Sequence, residues 1–222
     1  MVFRVSEIFY SLQGEGGRAG RPSLFIRLSG CSAKHACQAS GVVCDTEYES
    51  GVDMTLSELL KAMWAAIARA VPSASLEGCY PDIVWTGGEP LDSLTEEHIV
   101  ALRNAGWLYH AIETSGVKPL PDWNNLLDYV VVSPKVGEHI LERHFKDKGR
   151  RGEHDVDELR YVRHAGQPGV PVPALRARHY FLSPHSDGNQ INSVNLKHCV
   201  QLCLGAPQWQ LSVQQHKLWR IL

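Results

Sequence analysis

Short apolar runs alternate with amphipathic stretches along most of the chain. The runs Ser23–Gly30 (SLFIRLSG), Asp82–Trp85 (DIVW), LYHAIET, LLDYVVVS, DELRYVR, HYFLS and WQLSVQ have the length and the β-branched and aromatic content of strands. Between them, Thr55–Ala70 carries apolar residues at helical spacing. It opens on Thr55 and Glu58, a capping box in which each side chain can satisfy the other's backbone N–H. Thr95–Gly106 is a second helix with its stop glycine, and QINSVNLKHCVQLCLG a third. The Pro/Gly-rich stretch from His164 to Arg178 is expected to be a loop with at most one helical turn. Neither an internal repeat nor a low-complexity tract divides the chain, so one domain over 1–222 is expected.

Strands alternating with amphipathic helices imply a parallel sheet with right-handed crossovers. Roughly six strands are too few for a closed eightfold barrel, so the expected fold is α/β, a partial, open TIM-like barrel with outer helices. Functional residues in such folds gather where strands end. Five polar clusters stand there: a cysteine loop after Leu28, TGGEP (Thr86–Pro90), ETSG (Glu113–Gly116), SPK (Ser133–Lys135) and SPHSDG (Ser183–Gly188). Any one of them reads equally well as a turn; five at the same end do not. The two glycines of TGGEP would let a ligand approach the backbone, and Glu89 could accept from a ligand ammonium. Arg27 is a charge inside an apolar strand and needs a partner, either a substrate carboxylate or a structural ion pair.

Composition narrows the classes. With 22 Lys and Arg against 24 Asp and Glu, a net charge of −2 and 44% apolar residues, the chain carries no basic surface for nucleic acid. The start, MVFRVSEIFYSLQGEG, has no apolar secretion core, and no apolar run approaches a membrane span. A cytoplasmic enzyme with neither membrane nor nucleic-acid partner is expected. Six cysteines in such a chain point to metal or redox chemistry rather than to disulfides. Cys31, Cys37 and Cys44 fall in one irregular segment, whereas Cys199, Cys203 and the solitary Cys79 read as small core residues.

Taken together, GC…C…CDT after FIRL, followed by TGGEP, ETSG and SPK, resembles the radical S-adenosylmethionine (SAM) superfamily. EIFYSLQGEG, PSLFIRLSGC, CDT, SPK and the terminal LSVQQHK resemble, within it, the 7-carboxy-7-deazaguanine synthase family. The resemblance runs from Glu7 to the end of the chain and implies a truncated radical SAM fold. It further implies ring contraction of 6-carboxy-5,6,7,8-tetrahydropterin with loss of ammonia, in 7-deazapurine (queuosine-type) biosynthesis. Three thiolates, Cys31, Cys37 and Cys44, would hold a [4Fe–4S] cluster whose fourth iron binds SAM. Thr46 would serve a Mg²⁺. SAM would be lined by Val43, Cys44, Asp45, Gly88, Glu89, Ser133, Pro134 and Lys135. The pterin would be held by Leu12, Gln13, Gly14, Arg27, Thr86 and His216, with Glu15 at its amino-pyrimidinone edge and the terminal Leu222 at its border. The radical belongs to the cofactor, so no side chain is assigned as catalytic. A flavodoxin or ferredoxin as electron donor and a homodimer are implied as well.

The cysteine spacing departs from the superfamily's C-x3-C-x2-C: His35 stands four after Cys31, and Gly41 three before Cys44. His35 therefore stays open as a substitute for Cys37. Two other readings stand beside this one. A radical SAM activase of a glycyl-radical enzyme would share the cluster loop and GGEP but not SLQGEG or the terminal HK. A zinc-binding interaction domain would use Cys31, His35, Cys37 and Cys44.

Overall fold

The computed structural model describes residues 1–39, 48–72, 79–148, 153–188 and 190–221. Its strands, in chain order, are β1 (Phe3–Leu12), β2 (Pro22–Leu28), β3 (Val52–Met54), β4 (Asp82–Gly87), β5 (His110–Thr114), β6 (Tyr129–Val132), β7 (Val156–Arg163), β8 (Ala177–Pro184) and β9 (Gln210–Leu211). Its helices are α1 (Lys34–Ala39), α2 (Leu56–Ala70), α3 (Glu96–Asn104), α4 (Glu138–Phe145), α5 (Ser193–Gly205) and α6 (Gln215–Trp219). The strands make one sheet in the order β3-β1-β2-β4-β5-β6-β7-β8-β9. From β2 to β9 every pairing is parallel, while β1 runs antiparallel to both β2 and β3. The sheet is open: β3 and β9 are edges. The expected open parallel barrel is therefore the observed one, extended by a β1–β3 antiparallel edge. Among the described residues no helix is long and apolar enough to cross a membrane.

The alternation of side chains along each strand divides the sheet into two faces. Leu24, Ile26 and Leu28 of β2, Ile83 and Trp85 of β4, Ile112, Val130, Val132 and Leu159 join Leu59, Met63, Ile99, Leu102, Leu141 and Phe145 of the helices in the main core. The intervening residues face inward. In one inner layer Phe25, Val84, Ala111 and Tyr129 lie abreast, and with Val131 they form a separate apolar cluster. Nearer the strand ends the inner positions turn polar: Arg27 lies beside Thr86, and Glu113 beside Val131, itself beside Glu158. A polar layer above an apolar one is the arrangement that a site at the barrel mouth requires.

The three expected helices form as α2, α3 and α5. Thr55 caps α2, its backbone N–H donating to Glu58 Oε2 at 2.8 Å while its hydroxyl accepts from the Glu58 N–H. Five elements are not expected from sequence: β1, whose polar and apolar residues alternate only loosely, the short α1, β3 and α6, and α4, which is amphipathic with Leu141 and Phe145 four apart but only eight residues long. The WQLSVQ strand shrinks to Gln210–Leu211, after which the chain turns back toward the barrel mouth. Cys199 is in the core as expected, but Cys79 is exposed, because it lies in the connection ahead of β4 rather than on a packed face.

One buried polar contact ties the core to pH. Trp85 Nε1 donates to His110 Nδ1 at 3.1 Å, which fixes His110 as the tautomer whose Nε2–H meets the Trp107 carbonyl at 2.8 Å. Burial, with a smaller contribution from Arg103, pushes the His110 pKa down to about 4 from its ordinary 6.5. The folded state therefore prefers the neutral ring. Its contribution is complete above pH 6.5 and erodes as pH falls toward 4. Between pH 7 and 4.5 this group alone is expected to cost roughly 2–3 kcal/mol. Denaturation curves at the two pH values should show His110→Asn losing less stability than the parent on acidification; equal losses would remove His110 from the account.

Candidate active site

The β1–β2 connection passes through the inside of the open barrel. Its neck is closed by backbone bonds, Gln13 N–H to Arg21 O at 2.8 Å and Gly20 N–H to Gln13 O at 2.7 Å. Between them a short 3₁₀ turn, Gly16–Arg18, enters the concave face. The Gly17 amide donates to Glu158 Oε2 at 3.0 Å and the Gly16 amide to Ser212 Oγ at 2.9 Å. Arg18 closes the floor: its Nη2 meets Asp82 Oδ2 at 3.0 Å, and its guanidinium lies 5.0 Å from the Tyr109 ring and 5.7 Å from Tyr129. At the other end of the loop, a β-carbon on Gly14 would overlap the His216 ring, and Gln215 N–H donates to Gly14 O at 2.9 Å. SLQGEG and QQHK, 200 residues apart in sequence, thus meet.

Above the apolar layer they enclose a cavity of about 180 Å³ lined by Phe9, Leu12, Gln13, Gly14, Glu15, Phe25, Arg27, Thr86, Glu113, Arg160, Gln214 and His216. Leu12, Gln13, Gly14, Glu15, Arg27, Thr86 and His216 are all among the residues singled out from sequence. Phe9, Phe25, Glu113, Arg160 and Gln214 were not. For two of these a signal exists: Glu113 heads the ETSG cluster, and Arg160 is a charge inside the DELRYVR strand, the criterion that singled out Arg27. Leu222 lies outside the described residues.

The electrostatics of the cavity centre on Arg160, 6% exposed. Its Nε and Nη2 hold Glu158 Oε1 at 2.8 and 2.7 Å, while Nη1 reaches Glu15 Oε2 at 2.9 Å and Glu113 Oε1 at 3.5 Å. Burial by itself would lower the guanidinium pKa, but the surrounding Glu158, Glu113 and Glu15 outweigh it and hold the charge firmly in place. Burial raises the Glu113 pKa, and Arg160 opposes the rise. Gln13 Nε2 donates to Glu113 Oε1 at 3.1 Å. Arg27 has its structural ion pair, Glu7 Oε2 at 2.7 Å, and stands 5.0 Å from the Phe9 ring, with part of its surface still on the cavity.

A continuous rim adjoins the cavity. Gly88 N–H donates to Leu28 O at 3.1 Å and Glu89 N–H to Gly30 O at 3.1 Å, so TGGEP is sewn to the base of the cysteine loop. A β-carbon on Gly88 would overlap Gly30 O and press on Cys31 Cβ; this glycine is required by close approach to the loop. The Glu89 carboxylate, offered to a ligand ammonium by the sequence, is fully buried and accepts instead from Leu91 N–H, Thr114 Oγ1, Ser115 N–H and Ser115 Oγ. It holds ETSG against TGGEP. SPK follows, with Ser133 N–H on Thr114 O at 2.8 Å and Lys135 N–H on Ser115 O at 3.0 Å. SPHSDG turns elsewhere: Ser186 Oγ donates to Gln214 Oε1 at 2.7 Å, and Gly188 O accepts from Lys217 Nζ at 2.6 Å.

The cysteine loop leaves the rim at Gly30 and returns beside it, Gly30 N–H donating to Tyr48 O at 2.8 Å. Cys31 opens it, and Cys37 lies on α1 with its N–H on Ala33 O at 3.0 Å; both side chains are half-buried. His35, on the same helix, is exposed. Val43, Cys44, Asp45 and Thr46 lie outside the described residues. Among the described residues no three His, Cys, Asp or Glu side chains converge on a metal position.

No protein-family model matches the chain. Curated relatives do, over its whole length. The 7-carboxy-7-deazaguanine synthase of Bacteroides thetaiotaomicron is 36% identical over 218 residues, 98% of each chain. That of Burkholderia multivorans is 34% identical over 229 residues, 100% of each. The chain belongs to the 7-carboxy-7-deazaguanine synthase family. Its fold is shared with the crystal structure of QueE from Escherichia coli, at a TM-score of 0.58 and 24% identity, covering 97% of this chain and 95% of that one. Membership of the synthase family accounts for SLQGEG and the terminal HK, which a glycyl-radical activase or a zinc module would not need. In this synthase-family chain those two motifs are the walls of one cavity.

The Gly14–His216 approach is testable through the backbone. Gly14→Ala is expected to push out His216 and loosen the segment behind it, costing about 1–3 kcal/mol in thermal or denaturant unfolding. Tryptic cleavage after Lys217 should speed up in parallel. An unchanged cleavage rate would mean that the contact does not hold the C-terminal segment.

Proposed function

We propose that this chain is a 7-carboxy-7-deazaguanine synthase, a radical SAM carbon–nitrogen lyase. It contracts 6-carboxy-5,6,7,8-tetrahydropterin to 7-carboxy-7-deazaguanine with loss of ammonia, within 7-deazapurine biosynthesis. The observation that carries this reading is the meeting of seven residues from four separate segments, Leu12–Glu15, Arg27, Thr86 and His216, on one polar cavity beside the rim that bears Cys31. Members of this family need a [4Fe–4S] cluster and SAM. The donor set fits: the loop offers thiols, the soft ligands such clusters take, and Gly88 keeps the rim backbone close against Cys31. Cys31, Cys37 and Cys44 would hold the cluster, and Val43, Asp45, Gly88 and Ser133–Lys135 would line SAM, with Glu89 shaping that rim from beneath. When bound, cluster and SAM supply a carbon-centred radical. Thr46 would offer its hydroxyl to a Mg²⁺.

The chain's own residues position the pterin and keep water out. Phe9 and Phe25, their rings stacked with centroids 4.8 Å apart, make an apolar wall. Gln13, Glu15 and Glu113 present acceptors and an amide to the nitrogen-rich edge of the ring, and Arg27 presents positive charge to the substrate carboxylate. His216 lines the C-terminal side of the cavity, and Leu222 would border the pterin. The unbroken sheet supports a single domain over 1–222. A flavodoxin or ferredoxin as electron donor and a homodimeric assembly complete the proposal.

Supplied anaerobically with the carboxy-tetrahydropterin, SAM, Mg²⁺ and a reductant, the purified protein should form 7-carboxy-7-deazaguanine. 5′-Deoxyadenosine without that product would sink the substrate assignment while leaving the radical SAM assignment intact. Cys37→Ala should abolish cluster assembly, read as iron content, whereas His35→Ala should leave it near the parent value; the opposite pattern would make His35 the ligand. Thr46→Ala should weaken the dependence on Mg²⁺ with iron content unchanged.

A further inference from the structure

Arg160 holds a place in the cavity that its charge explains and a packing role does not. It is a buried guanidinium among three carboxylates, and its contacts divide them. Glu158 is spent entirely on protein: Oε1 takes Nε and Nη2 of Arg160, and Oε2 takes the Tyr129 hydroxyl at 3.2 Å and the Gly17 amide at 3.0 Å. Glu15 and Glu113 are different. Each gives one oxygen toward the same atom, Arg160 Nη1. Among the described residues, Glu15 Oε1 and Glu113 Oε2 accept from no protein donor, although both residues line the cavity. Both side chains are only partly buried, so these oxygens face the cavity and are open to donors from water or from a ligand. Two of them flanking one guanidinium form a receptor for a ligand edge that bears N–H groups.

We propose that Arg160, anchored by Glu158, is a positioning residue that sets substrate specificity: it holds Glu15 and Glu113 side by side, each with one carboxylate oxygen turned toward the cavity, so that the site accepts an amino-bearing pyrimidinone edge and rejects its oxo counterpart. The proposal rests on the pterin reading above. The physical reason lies in the polarity of the hydrogen bonds. A carboxylate only accepts, so it suits an edge bearing N–H groups and not a carbonyl. Two carboxylates brought close together repel each other unless a cation stands between them. Arg160 is that cation, and its fork reaches both carboxylates while gripping Glu158 from the other side. Without it, Glu15 and Glu113 would no longer be held side by side on the cavity, and the difference between an amino and an oxo edge would shrink.

The test compares two oxidised probes that cannot turn over, 6-carboxypterin and 6-carboxylumazine, which differ by amino against oxo at one ring position. Binding is measured by calorimetry on the anaerobic holoenzyme with SAM, and thermal melting and iron content report the fold. The parent is expected to favour 6-carboxypterin by at least about 30-fold, the scale on which buried polar groups reject a mismatched ligand. Arg160→Gln should narrow the preference to less than about 5-fold, and Arg160→Lys, which restores the charge, should hold it above about 10-fold. A role confined to packing would lower both affinities and leave the ratio unchanged. Arg160→Gln with the full parental ratio overturns the proposal. Should that variant fail to fold, Arg160→Lys decides: a retained preference supports the charge role, and a collapsed one overturns it. A parent that binds neither probe overturns the pterin reading and this proposal together, whereas an intact ratio in Arg160→Gln overturns this proposal alone.

Discussion

An open barrel lacks a wall, and its inner face would meet water unless something filled it. In this protein the filler is the loop between the first two strands. The contact on which the rest depends is that of Gly17 N–H with Glu158, extended through Glu158 to Arg160. Neither partner could be buried alone, because an uncompensated carboxylate or guanidinium in the interior costs several kcal/mol. Together, with Tyr129 as a further donor, they convert a gap in the sheet into a polar chamber of fixed charge. Arg18 repeats the device at the floor, where Asp82 and two aromatic rings receive it. The loop is thus held at two levels by buried charge, and the segment preceding it, Leu12–Glu15, is set as the wall of the cavity.

The rim is built on a different principle, backbone against backbone. Gly88 brings the end of β4 against Gly30 and Cys31, and the buried Glu89 carboxylate draws Thr114 and Ser115 to the same place. A cysteine loop supported in this way has both its entrance and its return fixed, whatever its length, since Gly30 and Tyr48 are bonded directly. That independence of the base from the span is the physical counterpart of the unusual cysteine spacing: residues can be added between the ends without moving Cys31 from the rim.

Much of this was legible in the chain. Strand and helix periods gave the open parallel sheet, since alternation of period 2 and period 3.6 is a local property of sequence. Arg27 attracted notice as a charge in an apolar strand, and the same reasoning applied to Arg160 would have found the centre of the cavity. It passed unremarked because DELRYVR is charged throughout, so that one inward arginine does not stand out there. β1 was hidden for a similar reason, its apolar positions being diluted by Arg4, Ser6 and Glu7, of which Ser6 and Glu7 bond to Arg27. Glu89 shows the converse. Its residue type suggested a ligand contact, but its fully buried carboxylate accepts from Leu91 in its own turn and from Thr114 and Ser115 at the end of β5.

The sequence by itself determined the class of fold, the residue types at each strand end and the set of thiols, because these follow from period, turn chemistry and composition. Only the tertiary structure decided which of those residues share a cavity. Gly14 and His216 are remote in sequence, as are Glu15 and Arg160, and nothing local in either segment encodes the approach. It arises from the closing of one loop inside an incomplete barrel, where the need to pair buried charge selects the partners.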